Sequence, residues 1–362
     1  MSLEEFLTDW HSDSPTLTVH TSGSTGQPKS LLVEKRRMQA SARTTCRFLG
    51  LNAGDTALLC LPLDYIAGKM MVVRALTCGL HLVSVPPTGH PLSDSMWEAL
   101  QQQTRGEGKL TIDFAAMVPL QVYNSLQVAE ERQRLSQIHQ LIIGGGPVDD
   151  ALASKLRSFP NAVWSTYGMT ETLSHIALRR LSGPDANEWY TPFEGVSIST
   201  DSEGCLIIDA PEICAEKLIT NDLAELCPPL PPSGEKPGDL PITKNTRGAS
   251  GPRFRILGRR DNIICSGGLK IITEEVERRL RPLLSAPFII TKAPDEKLGE
   301  QLVLLTESTE TNEVADVCRR VLSHYEQPRR IICVSSIPMT PNGKPARKEA
   351  EKLAASATGT QS

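Results

Sequence analysis

A run of hydroxyl, glycine and lysine residues near the amino terminus has the composition of a phosphate-binding loop. It reads HTSGSTGQPKS from His20 to Ser30. A nucleotide-binding P-loop reads G-x-x-x-x-G-K-[ST], and this chain departs from it at Pro28, which stands where the second glycine belongs. Proline removes a backbone amide, and the run from Ser30 to Val33 favours a strand rather than the helix that follows a P-loop. We therefore expect a loop between two strands whose phosphate-binding residues are Thr21, Ser22, Gly23, Ser24, Thr25, Gly26 and Lys29.

Two further segments combine residue types that suit nucleotide and acid chemistry. GGGP follows the apolar run QLIIG, and by itself it fits any turn between a strand and a helix, although its glycines would let a ligand approach the backbone. STYGMTET combines an aromatic ring, hydroxyls and one carboxylate, and a carboxylate suits Mg²⁺. By itself, the second segment also fits the amino terminus of a helix with a threonine cap. The candidate residues in them are Gly144, Gly145, Gly146, Pro147, Thr166, Tyr167, Gly168, Met169, Thr170 and Glu171.

Three motifs of the second half add charged side chains. TND places Asp222 after Asn221, and GRRDNIICSGG contains Arg259, Asp261, Gly267 and Gly268. PMTPNGKPARKE ends the series with Lys344 after an Asn-Gly turn. An ammonium group in such a loop can stabilise charge that develops on a phosphate group. By itself, Lys344 also fits a surface lysine after a turn; its catalytic role is what the family resemblance described below implies.

These motifs must be positioned by a layered α/β fold. Short apolar runs alternate with amphipathic runs from about residue 15 to 220, which indicates a largely parallel sheet flanked by helices. Residues 227–252 are rich in proline and are expected to form a surface loop. After residue 259 the pattern is that of a small α+β domain. We predict a large amino-terminal domain (1–258), a hinge (259–262) and a small mobile carboxyl-terminal domain (263–362).

The composition excludes several classes of protein. The 362 residues have a net charge of −4, which gives no reason to expect nucleic-acid binding. No apolar run approaches the length of a membrane span, and the acidic start MSLEEFLTDWHSD does not resemble a signal peptide. The nine cysteines show no metal-ligand spacing and favour buried, reduced thiols in a cytoplasmic protein.

With T-S-G-S-T-G-x-P-K and the later motifs in this order, the chain resembles the adenylate-forming enzymes from about residue 16 to 349. That family comprises acyl- and aryl-CoA synthetases, peptide-synthetase adenylation domains and firefly luciferase. The resemblance implies an acid–thiol ligase: a carboxylate and ATP form an acyl-adenylate and pyrophosphate, and coenzyme A then releases AMP. It implies binding of ATP, Mg²⁺, coenzyme A and a small carboxylate, and a homodimer is one assembly it allows.

The resemblance also implies roles for individual residues. Tyr167 would lie against adenine, Asp222 and Arg259 would bind the ribose, and Glu171, with Thr25, would hold Mg²⁺. Asp261 would be the hinge, and the small domain would swing there between the two half-reactions. The remaining assignments are the α-phosphate for Thr170, the adenine and acyl pocket for Gly144–Pro147, and the pantetheine tunnel for Gly267 and Gly268.

Within this family, the motif PLDYIAGK and the short amino terminus resemble the bacterial o-succinylbenzoate–CoA ligases of menaquinone synthesis. That substrate keeps a second carboxylate, which needs a cation. Lys69 is the first candidate for this cation, and Arg74 and His175 are others. The proposed substrate residues are Tyr65, Lys69, Gly144, Thr166 and His175.

Three alternatives are weighed against this interpretation. Another small acyl- or aryl-CoA ligase, or an enzyme that loads a carrier protein, would share every motif. A non-catalytic adenylate-binding protein is a different class, but the presence of Glu171 and Lys344 argues against it. A P-loop kinase or GTPase is disfavoured by Pro28 and the strand after it.

Overall fold

The computed structural model describes residues 1–20, 30–104, 110–227, 252–340 and 345–357. These residues belong to two compact units. The larger unit comprises Met1–Ser199, Ile207–Leu218 and Leu226–Arg255, and the smaller unit comprises Thr200–Leu206, Ile219–Glu225 and Ile256–Ser362. The phosphate-loop residues 21–29, most of the proline-rich stretch and Lys344 lie outside the described ranges. The hinge at 259–262 stays a prediction.

The larger unit contains a seven-stranded sheet in which the first five strands, in sheet order, are parallel. The last two strands run antiparallel to their neighbours. In sheet order the strands are β4 (His81–Ser84), β3 (Thr56–Leu59), β5 (Phe114–Met117), β6 (Gln140–Ile143), β7 (Ala162–Gly168), β8 (His175–Arg180) and β9 (Thr191–Pro192). The apolar side chains of β3, β5 and β6 are almost fully buried, as expected for a parallel sheet covered on both faces. The predicted α/β fold class is confirmed.

The described part of the larger unit contains seven α-helices, of which the last five connect the parallel strands of this sheet. The seven helices are α1 (Leu3–His11), α2 (Lys35–Leu49), α3 (Ile66–Cys78), α4 (Asp94–Gln101), α5 (Pro119–Ser125), α6 (Ala129–Gln137) and α7 (Asp150–Leu156). The sequence predicts α2 with the same bounds, because its apolar residues recur at helical spacing and Gly50 ends it in the left-handed conformation. The spacing of apolar residues in the sequence does not predict β5, α5 or α6.

A separate two-stranded antiparallel sheet precedes the parallel one along the chain. It consists of β1 (Thr16–His20) and β2 (Ser30–Glu34), with Thr18 opposite Leu32. The prediction of strands on both sides of the phosphate loop is therefore correct.

A four-stranded sheet follows, in the order β10 (Ser197–Thr200), β11 (Cys205–Asp209), β12 (Leu218–Cys227) and β13 (Arg253–Arg259). The smaller unit contains a five-stranded sheet. Its strands are β14 (Ile263–Ser266), β15 (Leu269–Ile272), β16 (Phe288–Asp295), β17 (Gly299–Thr306) and β18 (Arg330–Cys333). Its helices are α8 (Thr273–Leu280), α9 (Thr311–Val321) and α10 (Arg347–Ser356).

All nine cysteines are free. Five are buried and Cys78 and Cys227 are partly buried, but the expectation of burial is wrong for the other two. Cys265 and Cys333 are exposed. Cys265 lies on β14 beside the buried Ile264, and successive strand residues point to opposite faces of a sheet. No helix among the described residues is long and apolar enough to cross a membrane.

Candidate active site

The carboxyl ends of β6 and β7 lie in close contact at the GGGP turn. A Cβ atom on Gly144 would lie 2.4 Å from the Thr166 Oγ1 atom, so a side chain here would force Thr166 to move. Gly145 adopts a φ of +80°, which a side chain rarely tolerates. The structure therefore places the predicted substrate residues Gly144 and Thr166 side by side.

The STYGMTET segment ends β7 and turns sharply after it. It is a strand to Gly168 followed by a single 3₁₀ turn at Thr170–Thr172, so the alternative of an α-helix amino terminus is wrong. The next residue, Leu173, is buried with a φ of +60°. A leucine rarely adopts this conformation, and such strain persists only where surrounding packing imposes it.

Tyr167 lies in a cluster of three aromatic rings. Its ring centroid is 5.1 Å from that of Phe254 and 5.8 Å from that of Tyr190. The Tyr190 hydroxyl lies 2.9 Å from the Ser165 hydroxyl on β7. These contacts hold the Tyr167 ring in place, as an aromatic surface for adenine requires.

Glu171 is exposed, and no ion pair is recorded for its carboxylate among the described residues. Its backbone carbonyl accepts a weak hydrogen bond from the Cys214 thiol, at 3.4 Å. The turn is therefore held through its backbone while the carboxylate stays accessible. A hard oxygen ligand in this position fits the expected Mg²⁺.

A buried arginine lies behind this turn. The Arg74 side chain of α3 is 2% exposed, and no carboxylate partner is recorded for it in the described part of the chain. Its Nη2 atom donates to the Ser174 hydroxyl at 2.6 Å, and the Thr45 hydroxyl lies 3.5 Å away. Burial lowers the pKa of Arg74 to about 10, so the side chain remains charged at neutral pH.

His175 completes this network. Its Nδ1 atom lies 3.1 Å from the Ser174 hydroxyl, and its Nε2 atom lies 3.1 Å from the Thr45 hydroxyl. Burial first, and the nearby Arg74 charge second, lower the pKa of His175 well below its usual value. The imidazole is therefore neutral. Because Thr45 donates its proton to the Ser41 carbonyl, Thr45 accepts from Nε2–H and leaves Nδ1 as the acceptor for Ser174.

Tyr65 and Lys69 lie at the amino-terminal end of α3. Tyr65 precedes the helix and is 45% exposed. Lys69 is 3% exposed, and its Nζ atom donates to the Thr18 carbonyl at 3.0 Å. Five residues separate Lys69 from Arg74, which is about 140° around a helix with 3.6 residues per turn. The two cations therefore face different surroundings.

In the smaller unit, the predicted ribose residues lie together. The Arg259 Nε atom is 3.8 Å from an Asp222 carboxylate oxygen, although most of the intervening stretch lies outside the described residues. The Arg259 Nη2 atom is also 3.8 Å from Asp261. The Asn221 side-chain amide donates to the Asp261 carboxylate at 3.2 Å, so Asn221 supports the predicted hinge residue.

Gly267 and Gly268 form the two-residue turn between β14 and β15, where Ser266 pairs with Leu269. Both have positive φ, at +57° and +84°, which suits a tight hairpin. Their role towards coenzyme A stays a prediction. Thr21, Ser22, Gly23, Ser24, Thr25, Gly26, Lys29 and Lys344 lie outside the described residues.

Four residues of this arrangement are missed by the sequence reasoning. Thr45, Ser174 and Tyr190 support the predicted residues but belong to no motif, and Phe254 opens the family-like segment FRILGRRDNIICSGG without a predicted role. Thr45 lies 130 residues from His175 in the chain, and Ser174 lies 100 from Arg74. No local spacing signals such pairs.

Comparisons with known proteins identify the family of this chain. Residues 4–208 match the family model of the AMP-binding enzymes, which is more than half of the chain. A 2-succinylbenzoate–CoA ligase of Enterococcus faecalis is 25% identical over 364 residues, covering 96% of this chain and 71% of the relative.

Solved structures show the same fold. An acyl-CoA synthetase (AMP-forming)/AMP-acid ligase II-like protein of Dyadobacter fermentans is 32% identical, with a TM-score of 0.59 and coverage of 97% of this chain and 92% of that one. The o-succinylbenzoate CoA synthetase of Bacillus subtilis, solved with its acyl-adenylate intermediate, is 20% identical and covers 92% of this chain and 68% of that one, with a TM-score of 0.69. The prediction of an AMP-forming CoA ligase is confirmed at the level of enzyme class. The chain belongs to the AMP-binding enzyme family.

Proposed function

We propose that this enzyme is an o-succinylbenzoate–CoA ligase that uses ATP, Mg²⁺ and coenzyme A. The relatives named for that reaction support the proposal, and a solved Bacillus subtilis relative contains ATP and a magnesium ion. In the proposed reaction, the succinyl carboxylate attacks the α-phosphorus of ATP and pyrophosphate leaves. The thiol of coenzyme A then attacks the acyl carbon, and AMP leaves.

The residues of the larger unit would share the work of the first step. Tyr167 presents its ring to adenine, and Thr170 hydrogen-bonds the α-phosphate. Glu171 would hold Mg²⁺, which neutralises charge on the triphosphate when it is bound. Gly144 and Thr166 would line the acid pocket.

Residues of the smaller unit would provide the rest. Asp222 and Arg259 bind the ribose hydroxyls, and Lys344 stabilises the charge at the α-phosphorus. Asp261 would act as the hinge, and Gly267–Gly268 would border coenzyme A. No step needs a nucleophilic side chain, so catalysis relies on positioning and charge stabilisation.

The buried charge of Arg74 is the observation that supports o-succinylbenzoate as the acid substrate. A buried charge without a carboxylate partner is costly, and a diacid would supply the missing anion. The half-buried Ser174 hydroxyl already accepts from Arg74. We propose that the spare carboxylate of o-succinylbenzoate binds beside Ser174. Arg74 therefore replaces Lys69 as the favoured cation for that carboxylate.

Carboxylate-dependent release of pyrophosphate tests the function. The panel contains o-succinylbenzoate, its mono-methyl ester at the spare carboxylate, benzoates, short fatty acids and amino acids. We expect o-succinylbenzoate to have the highest kcat/KM. Activity with benzoates but not with o-succinylbenzoate would show that the enzyme is a different aryl-CoA ligase, and no activity with any acid would favour an adenylate-binding protein.

The variant Arg74→Gln tests the role of the buried charge. Loss of one charge-assisted contact corresponds to about 1.5–3 kcal/mol, so the KM for o-succinylbenzoate should rise roughly tenfold to a hundredfold. The KM for the mono-methyl ester should change less than about threefold, since it lacks that charge. Arg157→Gln, on the exposed surface, is the matched control. Equal effects of Arg74→Gln on both acids would contradict the assignment.

A further inference from the structure

Lys69 lies in an unfavourable position for a cation. It is the fourth residue of α3, close to the positive end of the helix dipole, and it is 3% exposed. Burial lowers its pKa, and the charges of Asp9 and Asp64 oppose this shift. Burial and the helix dipole both disfavour the charged form of Lys69, so a contact of its ammonium group must offset them.

That contact joins two elements that are far apart in sequence. The Nζ atom donates to the Thr18 carbonyl at 3.0 Å, in the middle of β1. Among the described strands, β1 pairs only with β2. A two-stranded sheet is marginally stable by itself, so a charge-assisted bond from α3 adds an attachment that the strand pairing does not provide.

The α3 end of this attachment is closely packed. A Cβ atom on Gly68 would lie 2.3 Å from the Pro62 carbonyl oxygen, so the first turn of α3 packs directly on the preceding chain. Next to Lys69 lies an open cavity of about 330 Å³. Asp9, Asp64 and Thr18 are among the residues that line it. The cavity keeps the ammonium among polar groups although its stem is buried.

We propose that Lys69 is a positioning residue for ATP, because it anchors β1, rather than a contact for the acid substrate. β1 ends at His20, directly before the residues that the sequence predicts to bind phosphate. This inference rests on the proposed function. A displaced β1 weakens ATP binding and leaves the acid pocket at Gly144 and Thr166 unchanged.

Kinetics of Lys69→Met test the inference, because methionine keeps an unbranched apolar stem and loses the donor. We expect the KM for ATP to rise about tenfold, the equivalent of 1.4 kcal/mol, while the KM for o-succinylbenzoate stays within about twofold. Lys69→Arg, which keeps charge and donors, should restore most of the ATP affinity. Lys155→Met, an exposed lysine on α7, is the matched control.

Hydrogen exchange provides a readout that does not depend on the identity of the acid. In Lys69→Met, amides of β1 and β2 should exchange faster, while those of β6 should not change. Should Lys69→Met fail to fold, Lys69→Gln is submitted to the same two measurements. An unchanged KM for ATP, or a rise in the KM for the acid alone, would overturn the inference. A wild-type enzyme inactive with o-succinylbenzoate would overturn the proposed function alone, because the exchange result would stand.

Discussion

Replacing Gly168 by alanine should disturb the junction between β7 and β8 more than its single methyl group suggests. The added Cβ would lie 2.2 Å from the Ser174 carbonyl oxygen and 2.5 Å from the His175 Cα atom. Ordinary contacts begin near 3.4 Å, so the first distance is 1.2 Å too short. Both neighbours are backbone atoms and cannot rotate away. The strands must therefore separate where Tyr167 and the following 3₁₀ turn begin.

The size of the effect follows from this overlap. Overpacking in a core costs about 1–3 kcal/mol, and a contact with rigid backbone belongs at the upper end of that range. For a domain of this size about 3 kcal/mol corresponds to a fall in Tm of roughly 6–12 °C. A displacement near 1 Å at a reacting group lowers kcat/KM by roughly a hundredfold.

Thermal unfolding and pyrophosphate release measure both effects. The matched control is Gly195→Ala: Gly195 has a φ of +80° and no atom within 4 Å of an added Cβ. That variant should lose about 1–2 kcal/mol from backbone strain and keep its activity. If the Gly168→Ala variant keeps the Tm and the activity of the wild-type enzyme, the steric argument is wrong.

Three further predictions concern charge and the proline-rich stretch. The pKa of His175 is lowered in the folded state, so on acidification the unfolded state takes up the imidazole proton first. The neutral His175 therefore contributes its full share to the free energy of unfolding above pH 6.5, and this share is lost as the pH falls below 6.5. Denaturant unfolding of His175→Gln should therefore show a pH slope below pH 6.5 that is smaller by up to about 1.4 kcal/mol per pH unit. Asp222→Asn should raise the KM for ATP about tenfold, with little change in the KM for the acid; unaltered ATP kinetics would contradict the ribose role. Replacing residues 228–250 by a short linker should keep the KM for ATP within about twofold. The two sides of this stretch already lie close together, since the Arg253 Nη2 atom donates to the Cys227 sulfur at 3.7 Å. Loss of ATP binding would show that this stretch takes part.

Much of the fold could be predicted from local patterns. β1, α2 and β6 have the predicted bounds, because their periodicity and flanking residues agree with the final packing. β5 was not predicted. Its sequence FAAM is short and apolar, and such a run does not distinguish a buried strand from a piece of helix.

The candidate site was predicted as a set of motifs rather than as a geometry. The sequence alone places Gly144 after β6 and Tyr167 at the end of β7. It cannot show that Gly144 touches Thr166, or that Phe254 and Tyr190 surround Tyr167. These contacts depend on how the strands pair, which local spacing does not specify.

The sequence by itself determined the order of the motifs, the local elements that contain them and the enzyme family. Each of these depends on residues that are close together in the chain. Only the tertiary structure decided which groups are contacted by Lys69 and Arg74, the two cations of α3 considered for the substrate carboxylate. Lys69 donates to Thr18, 51 residues away, and Arg74 donates to Ser174, 100 residues away. A cation next to the substrate motif could have served either purpose, because its partner is chosen by packing between distant elements.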